Sequence, residues 1–339
     1  MDSKEICWEI LPKVSRSFAL CIRILPEPLN AQMMVSYLVY RVLDTIEDSS
    51  APLAVKKELF SQFVKLLSVR NADAHTIEEC RAELCTRLNY TYEKDLLKNL
   101  GAVMQTYYSQ PLLVRRSILK WGRVMAEGMY EFQQKPIETF ADQNAYSYHV
   151  AGVIGYLFTE LLFYEGIITR QLKRRLTKYA RNFGLALQKV NILRDIACDA
   201  ISKRCYWPRQ LLAKYNLSYS SLCLRENRRA AMSVLREQIA EVRKYLHDAM
   251  QYILLLPEKA TNVRRFCLIP LFMAIESYAL CASNDKVFDS GQKVKISRLL
   301  VGEIVLKSGL WGSSNERLQS WFFESMGRAC PAPASTAEN

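Results

Sequence analysis

Apolar residues recur at helical spacing along nearly the whole chain, and the periodicity predicts helices over residues 29–47, 55–69, 95–108, 112–134, 142–164, 171–197, 228–255 and 262–281. Breaks fall where proline, glycine or small polar residues gather: Pro26 and Pro28, 49–52, 71–74, Pro136, Pro208, Pro257 and 289–291. No break is long or polar enough to be a linker, and no internal repeat is visible. The pattern predicts one all-α domain over residues 1–328. Residues 329–339, ACPAPASTAEN, have the composition of a disordered tail.

Two of the predicted helices carry polar residues that their surroundings do not explain. Residues 33–48, MMVSYLVYRVLDTIED, place apolar side chains on nearly every side, the pattern of a helix buried all round. Against it Tyr37, Arg41, Asp44 and Asp48 step by four, three and four and share a face. Residues 184–199, GLALQKVNILRDIACD, repeat the arrangement with Gln188, Asn191, Asp195 and Asp199, at steps of three, four and four. An Asp-x-x-x-Asp pair alone is common on solvated helix faces. Here each pair ends a polar ladder on an otherwise apolar helix, where desolvating an unpartnered ion costs several kcal/mol. Two buried acidic pairs therefore call for cations. Hard oxygen donors with no His or Cys beside them fit Mg²⁺, which takes one or two carboxylates and completes its shell with water and phosphate oxygens.

Composition narrows the fold and the partners. With 12 Gly and 11 Pro in 339 residues, both fall below the average usage of about 7% and 5%, too few for a β-sandwich, a β-barrel or a doubly wound α/β fold. Lys and Arg number 46 against 34 Asp and Glu, a formal +12 that favours anionic partners. The densest basic cluster (Arg170, Lys173, Arg174, Arg175, Lys178 and Arg181) lies within one amphipathic stretch and reads as a solvated face, so nucleic acid is not the expected partner. Cations beside the metals suit diphosphate oxygens instead. Ten cysteines without a CxxC, and only three histidines, give no support to structural zinc. The N-terminal stretch has no basic region followed by an apolar one, and no uninterrupted apolar run reaches the roughly 18 residues of a bilayer span. The most apolar stretch, 266–280, is broken by Pro270, Glu276 and Ser277. The expectation is a cytoplasmic chain with reduced thiols.

Five ordered segments, SRSF (15–18), YLVYRVLDTIED (37–48), YSYHVAGVIG (146–155), LQKVNILRDIACD (187–199) and RCYWP (204–208), resemble the motifs of the squalene/phytoene synthases. The resemblance runs in the same order from about residue 15 to 307. Segment 266–296 resembles squalene synthases more than phytoene or dehydrosqualene synthases. It implies the all-α isoprenoid synthase fold, a single helical domain around a central apolar active-site cavity. It also implies Mg²⁺-dependent head-to-head condensation of two farnesyl diphosphates to presqualene diphosphate, then reduction by NADPH to squalene. The expected chain is a soluble, bacterial-type monomer that touches a membrane surface transiently to release its product.

Residue by residue, Asp44, Glu47, Asp48, Asp195 and Asp199 match metal-binding positions, and Arg41 and Arg194 match arginines that contact diphosphate or orient the acids. Tyr146 matches the catalytic tyrosine, while Ser15, Arg16, Ser17, Phe18 and Tyr37 match the diphosphate side of the site. Gln188, Asn191 and Arg204 match further substrate-binding positions, and Lys295 and Arg298 are the cations expected near NADPH. Small residues at Val150-Ala151-Gly152 let a helix bend or a prenyl chain approach. Met125, Met129, Leu157, Leu161, Leu162, Leu185 and Phe272 are candidates to line the prenyl tunnel, or else plain core. The chain departs from the squalene synthase pattern at Cys198, where Glu is common, at Ser147 for Cys, at Lys203 for Gly and at Ser297 for a basic residue. Two other readings compete: a non-reductive relative making presqualene diphosphate, dehydrosqualene or phytoene, and a catalytically inactive helical interaction protein. The last typically loses its acidic pairs, and both survive here.

Overall fold

A computed structural model describes residues 2–88, 94–202, 204–289 and 294–329. The expectations for Lys203, for the end of the 289–291 break and for 330–339 of the tail lie outside the described residues. In chain order the helices are α1 (Ser3–Val14), α2 (Arg16–Ile24), α3 (Leu29–Asp48), α4 (Leu53–Ser68), α5 (Ala74–Leu88), α6 (Lys94–Lys98), α7 (Leu100–Tyr108), α8 (Leu112–Phe132) and α9 (Phe140–Ser147). There follow α10 (Val153–Tyr164), α11 (Arg170–Arg194), α12 (Ile196–Ile201), α13 (Arg209–Lys214), α14 (Arg228–Leu255), α15 (Thr261–Ala282), α16 (Arg298–Trp311) and α17 (Asn315–Ala329). No strand occurs among the described residues.

The chain divides into two compact units, residues 1–135 with 148–177, and 136–147 with 178–339. In the first, α3 is the central helix and packs against α1, α2, α4, α6, α7, α8 and α10. That enclosure is why its sequence is apolar on nearly every side. Its non-buried residues are Asn30, Tyr37, Arg41, Asp44 and Asp48, so the predicted ladder is the one accessible stripe on a buried helix. In the second unit α15 holds the centre against α14, α16 and α17, with Pro270 inside it. By length and composition α15 could cross a membrane, but 67% of its apolar window is buried within the protein, as in a core helix.

The structure moves several predicted boundaries, each for a local reason. Helix 228–255 is found end to end, and 29–47 gains one residue. The predicted helix 142–164 is instead α9, a π-helical turn at Tyr148–Gly152, and α10. The extra residue in the π-turn accommodates His149, whose Nδ1 donates to Val124 O at 2.9 Å. Its ring lies so close over Gly128 that a Cβ there would meet His149 Cγ at 2.0 Å. π-bulges of this kind concentrate at functional sites. Helices α1, α2, α5, α13, α16 and α17 were not predicted. In α5 only Ile77, Leu84 and Leu88 are buried, too few to impose a period.

No disulfide joins the described cysteines, and burial pushes the Cys21 and Cys281 thiols up to about 12. Met125, Met129, Leu157, Leu161, Leu162, Leu185 and Phe272 are all fully or almost fully buried, with Phe272 stacked face to face on Trp321.

Candidate active site

The first acidic motif lies along the accessible stripe of α3. Arg41 Nη1 donates to Asp44 Oδ2 at 3.3 Å, with the two side chains 29% and 34% exposed. Asp48, one turn further, is exposed, and Glu47 is buried. The sequence reading of a buried acidic pair is therefore corrected. These carboxylates reach solvent and Asp44 has an arginine partner, so desolvation does not force a cation on them. What the stripe offers is accessible oxygen. Tyr37 heads it, with the Phe18 ring 5.4 Å from its own. This contact brings segment 15–18 to the ladder. The Ser15 hydroxyl caps α2 by accepting from Phe18 N at 3.3 Å, leaving Arg16 and Ser17 exposed at the start of that helix.

The end of α3 is tied down by residues the sequence did not single out. Lys56 on α4 is buried, and its Nζ donates to Glu47 O at 2.7 Å and to Gln133 Oε1 at 2.9 Å. Gln133 Nε2 donates to the same Glu47 carbonyl at 3.0 Å. Two donors thus satisfy one of the last carbonyls of the helix, which have no intrahelical partner, one residue from Asp48.

The second motif occurs at a helix junction rather than within the single helix predicted. Asp195 separates α11 from α12, with φ −98° and ψ 9°, the sparsely populated bridge region where active-site residues are often found. Hydrogen bonds from Asp195 N to Asn191 O and from Asp199 N to Asp195 O, both 2.9 Å, keep the four-residue spacing across the break. Arg194 grips Asp195 with both arms of its fork, Nε at 3.1 Å and Nη2 at 2.6 Å. Burial pulls the Arg194 pKa down, but the hydrogen bonds and charge of Asp195 outweigh this and leave it raised. Gln188, Asn191, Asp195 and Asp199 are all half-buried, so this pair too is accessible.

Segment 204–208 braces the junction from the same unit. Arg204 N donates to Asp199 O at 2.9 Å. Trp207, fully buried, donates from Nε1 to Ile192 O at 3.2 Å and meets Phe288 edge-on. Tyr206, between them, stacks on Tyr146, the ring centroids 4.7 Å apart and the planes 18° from parallel. Tyr146 itself is 4% exposed. Lys295 and Arg298 are exposed beside the start of α16. The departure at Ser297 has a structural use, since its hydroxyl caps α16 by accepting from Leu300 N at 3.1 Å.

Among the described residues no group of three or more His, Cys, Asp and Glu side chains is gathered as a metal cage. A pair of accessible carboxylates one turn apart nevertheless fits Mg²⁺, which needs only one or two from the protein when phosphate and water supply the rest. Lys295 and Arg298 fit the phosphates of a dinucleotide by charge and exposure.

Comparison with known proteins gives the family. The model of the squalene/phytoene synthase family matches residues 11–299. A squalene synthase of Schizosaccharomyces pombe is 31% identical over 312 residues, 89% of this chain and 64% of that protein. Squalene synthase 1 of Arabidopsis thaliana is 31% identical over 303 residues, 88% of this chain and 70% of its own. The chain thus spans just under two thirds of the length of the yeast relative. Among solved structures, a complex of TcSQS with the ligand BPH1237 superposes with a TM-score of 0.84 at 27% identity, covering 99% of this chain and 94% of that one. Matched along most of its length by the family model and by relatives above 30% identity, the chain belongs to the squalene/phytoene synthase family of prenyltransferases.

Proposed function

We propose that this chain is a squalene synthase, joining two farnesyl diphosphates head to head into presqualene diphosphate and reducing that intermediate to squalene. The observation that carries the reading is the pair of accessible acidic motifs. Each has an arginine on its first aspartate, and the first stands on a helix that is otherwise buried. Similarity to squalene synthases across nearly nine tenths of the chain supports the choice of product.

In the first half-reaction a diphosphate leaves and an allylic cation forms. The second substrate's double bond attacks it, and proton loss closes a cyclopropane. When bound, Mg²⁺ would supply neutralisation of charge on the departing diphosphate. Asp44 and Asp48 would hold a metal ion at the first motif and Asp195 and Asp199 one at the second, while Arg41 and Arg194 orient the first carboxylate of each. Arg16, Ser17 and the backbone N–H groups at the start of α2 suit diphosphate oxygens beside Tyr37. The stacked rings of Tyr146 and Tyr206 present π-density that stabilises a carbocation, and the Tyr146 hydroxyl assists removal of the proton. NADPH would supply the hydride of the second half-reaction, and Lys295 and Arg298 would meet its phosphates.

Incubation of the purified chain with farnesyl diphosphate and Mg²⁺, with and without NADPH, tests the proposal by mass spectrometry of the products. Squalene only when NADPH is present is the expected result. A product unchanged by NADPH overturns the reductive half, and no condensation product overturns the whole reading.

A further inference from the structure

Lys189 projects from α11 into the interior of the second unit and is 1% exposed. Its Nζ donates to Gln143 Oε1 at 2.6 Å. Gln143, also fully buried, donates from Nε2 to Tyr206 O at 2.9 Å and to Gln238 Oε1 at 3.3 Å. The Lys189 nitrogen carries N–H donors in either protonation state and has the Glu241 carboxylate beside it as an acceptor neighbour, so it favours the carbonyl end of the Gln143 amide facing it. The reversed amide would set donor against donor at Lys189 and acceptor against acceptor at the Tyr206 carbonyl.

That choice has a consequence one turn along α9. Gln143 and Tyr146 share a face of this helix. The first holds Tyr206 by its backbone carbonyl, and the second holds it by its ring. We propose that Lys189 is a positioning residue, whose contact with Gln143 sets the two-point grip of α9 on Tyr206 and hence the placement of the Tyr146 hydroxyl that assists proton removal. This rests on the reading that Tyr146 acts at the reacting atoms.

The groups facing Lys189 suit a placed, buried cation. From α14 come Glu241 at 3.8 Å, Lys244, which is itself 2.8 Å from Glu241, and the Tyr245 ring, whose centroid is 5.1 Å from the ammonium. From α9 comes the Phe140 ring at 5.7 Å. Burial pulls the Lys189 pKa down to about 7, against the attraction of Glu241 and with the repulsion of Lys244. Such a group costs stability, and a side chain of similar length such as Met would fill the same space.

The test compares Lys189→Met in the wild-type and Tyr146→Phe backgrounds, using steady-state condensation of farnesyl diphosphate with Mg²⁺. In the wild-type background turnover should fall about tenfold with KM within about twofold, as misplacement of a reacting group predicts. In the Tyr146→Phe background, where the hydroxyl is already gone, the same change should cost less than about twofold. An equal loss in both backgrounds, or none in the first, overturns the proposal. Gln143→Glu gives an independent arm should Lys189→Met not fold: it keeps a partner for Lys189 and removes the donor to Tyr206 O, so unchanged turnover overturns the proposal as well. A wild-type chain that does not condense farnesyl diphosphate would instead sink the functional reading itself, which separates the two failures.

Discussion

The two acidic motifs have the same spacing in sequence and are held by different means. The first stands on one unbroken helix enclosed by seven others, with its end tied from α4 and α8 by Lys56 and Gln133. The second falls on a helix break, and its order comes from close polar contacts: the Arg194 fork on Asp195, Arg204 N on Asp199 O and Trp207 on Ile192 O. Enclosure makes the first motif a matter of packing. Local braces make the second a matter of hydrogen-bond geometry.

Removing the charge itself should erase this difference. Asp44→Asn and Asp195→Asn should each lower condensation about 10²- to 10³-fold, the scale expected for loss of a group that stabilises charge in the transition state, with helical circular dichroism unchanged. Full activity in either variant would remove that motif from the chemistry.

Disturbing the supports should separate the motifs. Lys56→Met leaves Glu47 O and Gln133 without a charged donor, and urea denaturation should show a loss of about 2–3 kcal/mol. An unchanged midpoint would show that packing alone secures the end of α3. Arg194→Lys keeps the charge but loses the two-pronged grip, so turnover should fall about tenfold. Arg41→Lys, which disturbs a longer contact of 3.3 Å on Asp44, should cost only about two- to threefold. Equal losses would mean that the fork at the second motif has no special role.

A stability effect away from both motifs is one of pH. Lys189 loses its proton near pH 7 in the folded chain and near its ordinary value of 10.5 when unfolded. Between those values the unfolded chain binds more protons, so stability rises with pH. The gain between pH 7 and 8 should be about 1 kcal/mol, and it should be missing from the same curve for Lys189→Met.

Much of this was legible in the residues. The ladder on α3 could be read because its neighbours are apolar on every other side, and the structure leaves it as the helix's accessible stripe. The accessibility of the acids was not legible, because a polar residue on an apolar helix looks the same whether it meets a buried partner or open space. Lys56 and Lys57 are adjacent and chemically identical, yet the first is buried on the Glu47 carbonyl and the second is exposed. The π-turn at Tyr148–Gly152 depends on a contact between His149 and Gly128, twenty-one positions apart in the chain.

The sequence by itself determined the all-α class, the spacing of both acidic motifs and the family. These rest on helical periodicity and on residues that must lie a turn apart, which are local properties. Tertiary structure alone decided which charges are buried, where α11 breaks, and that Lys189 and Tyr146 belong to one network. Each of these turns on which distant groups meet, because the cost of burying a charge and the worth of a hydrogen bond depend on partners that no local pattern names.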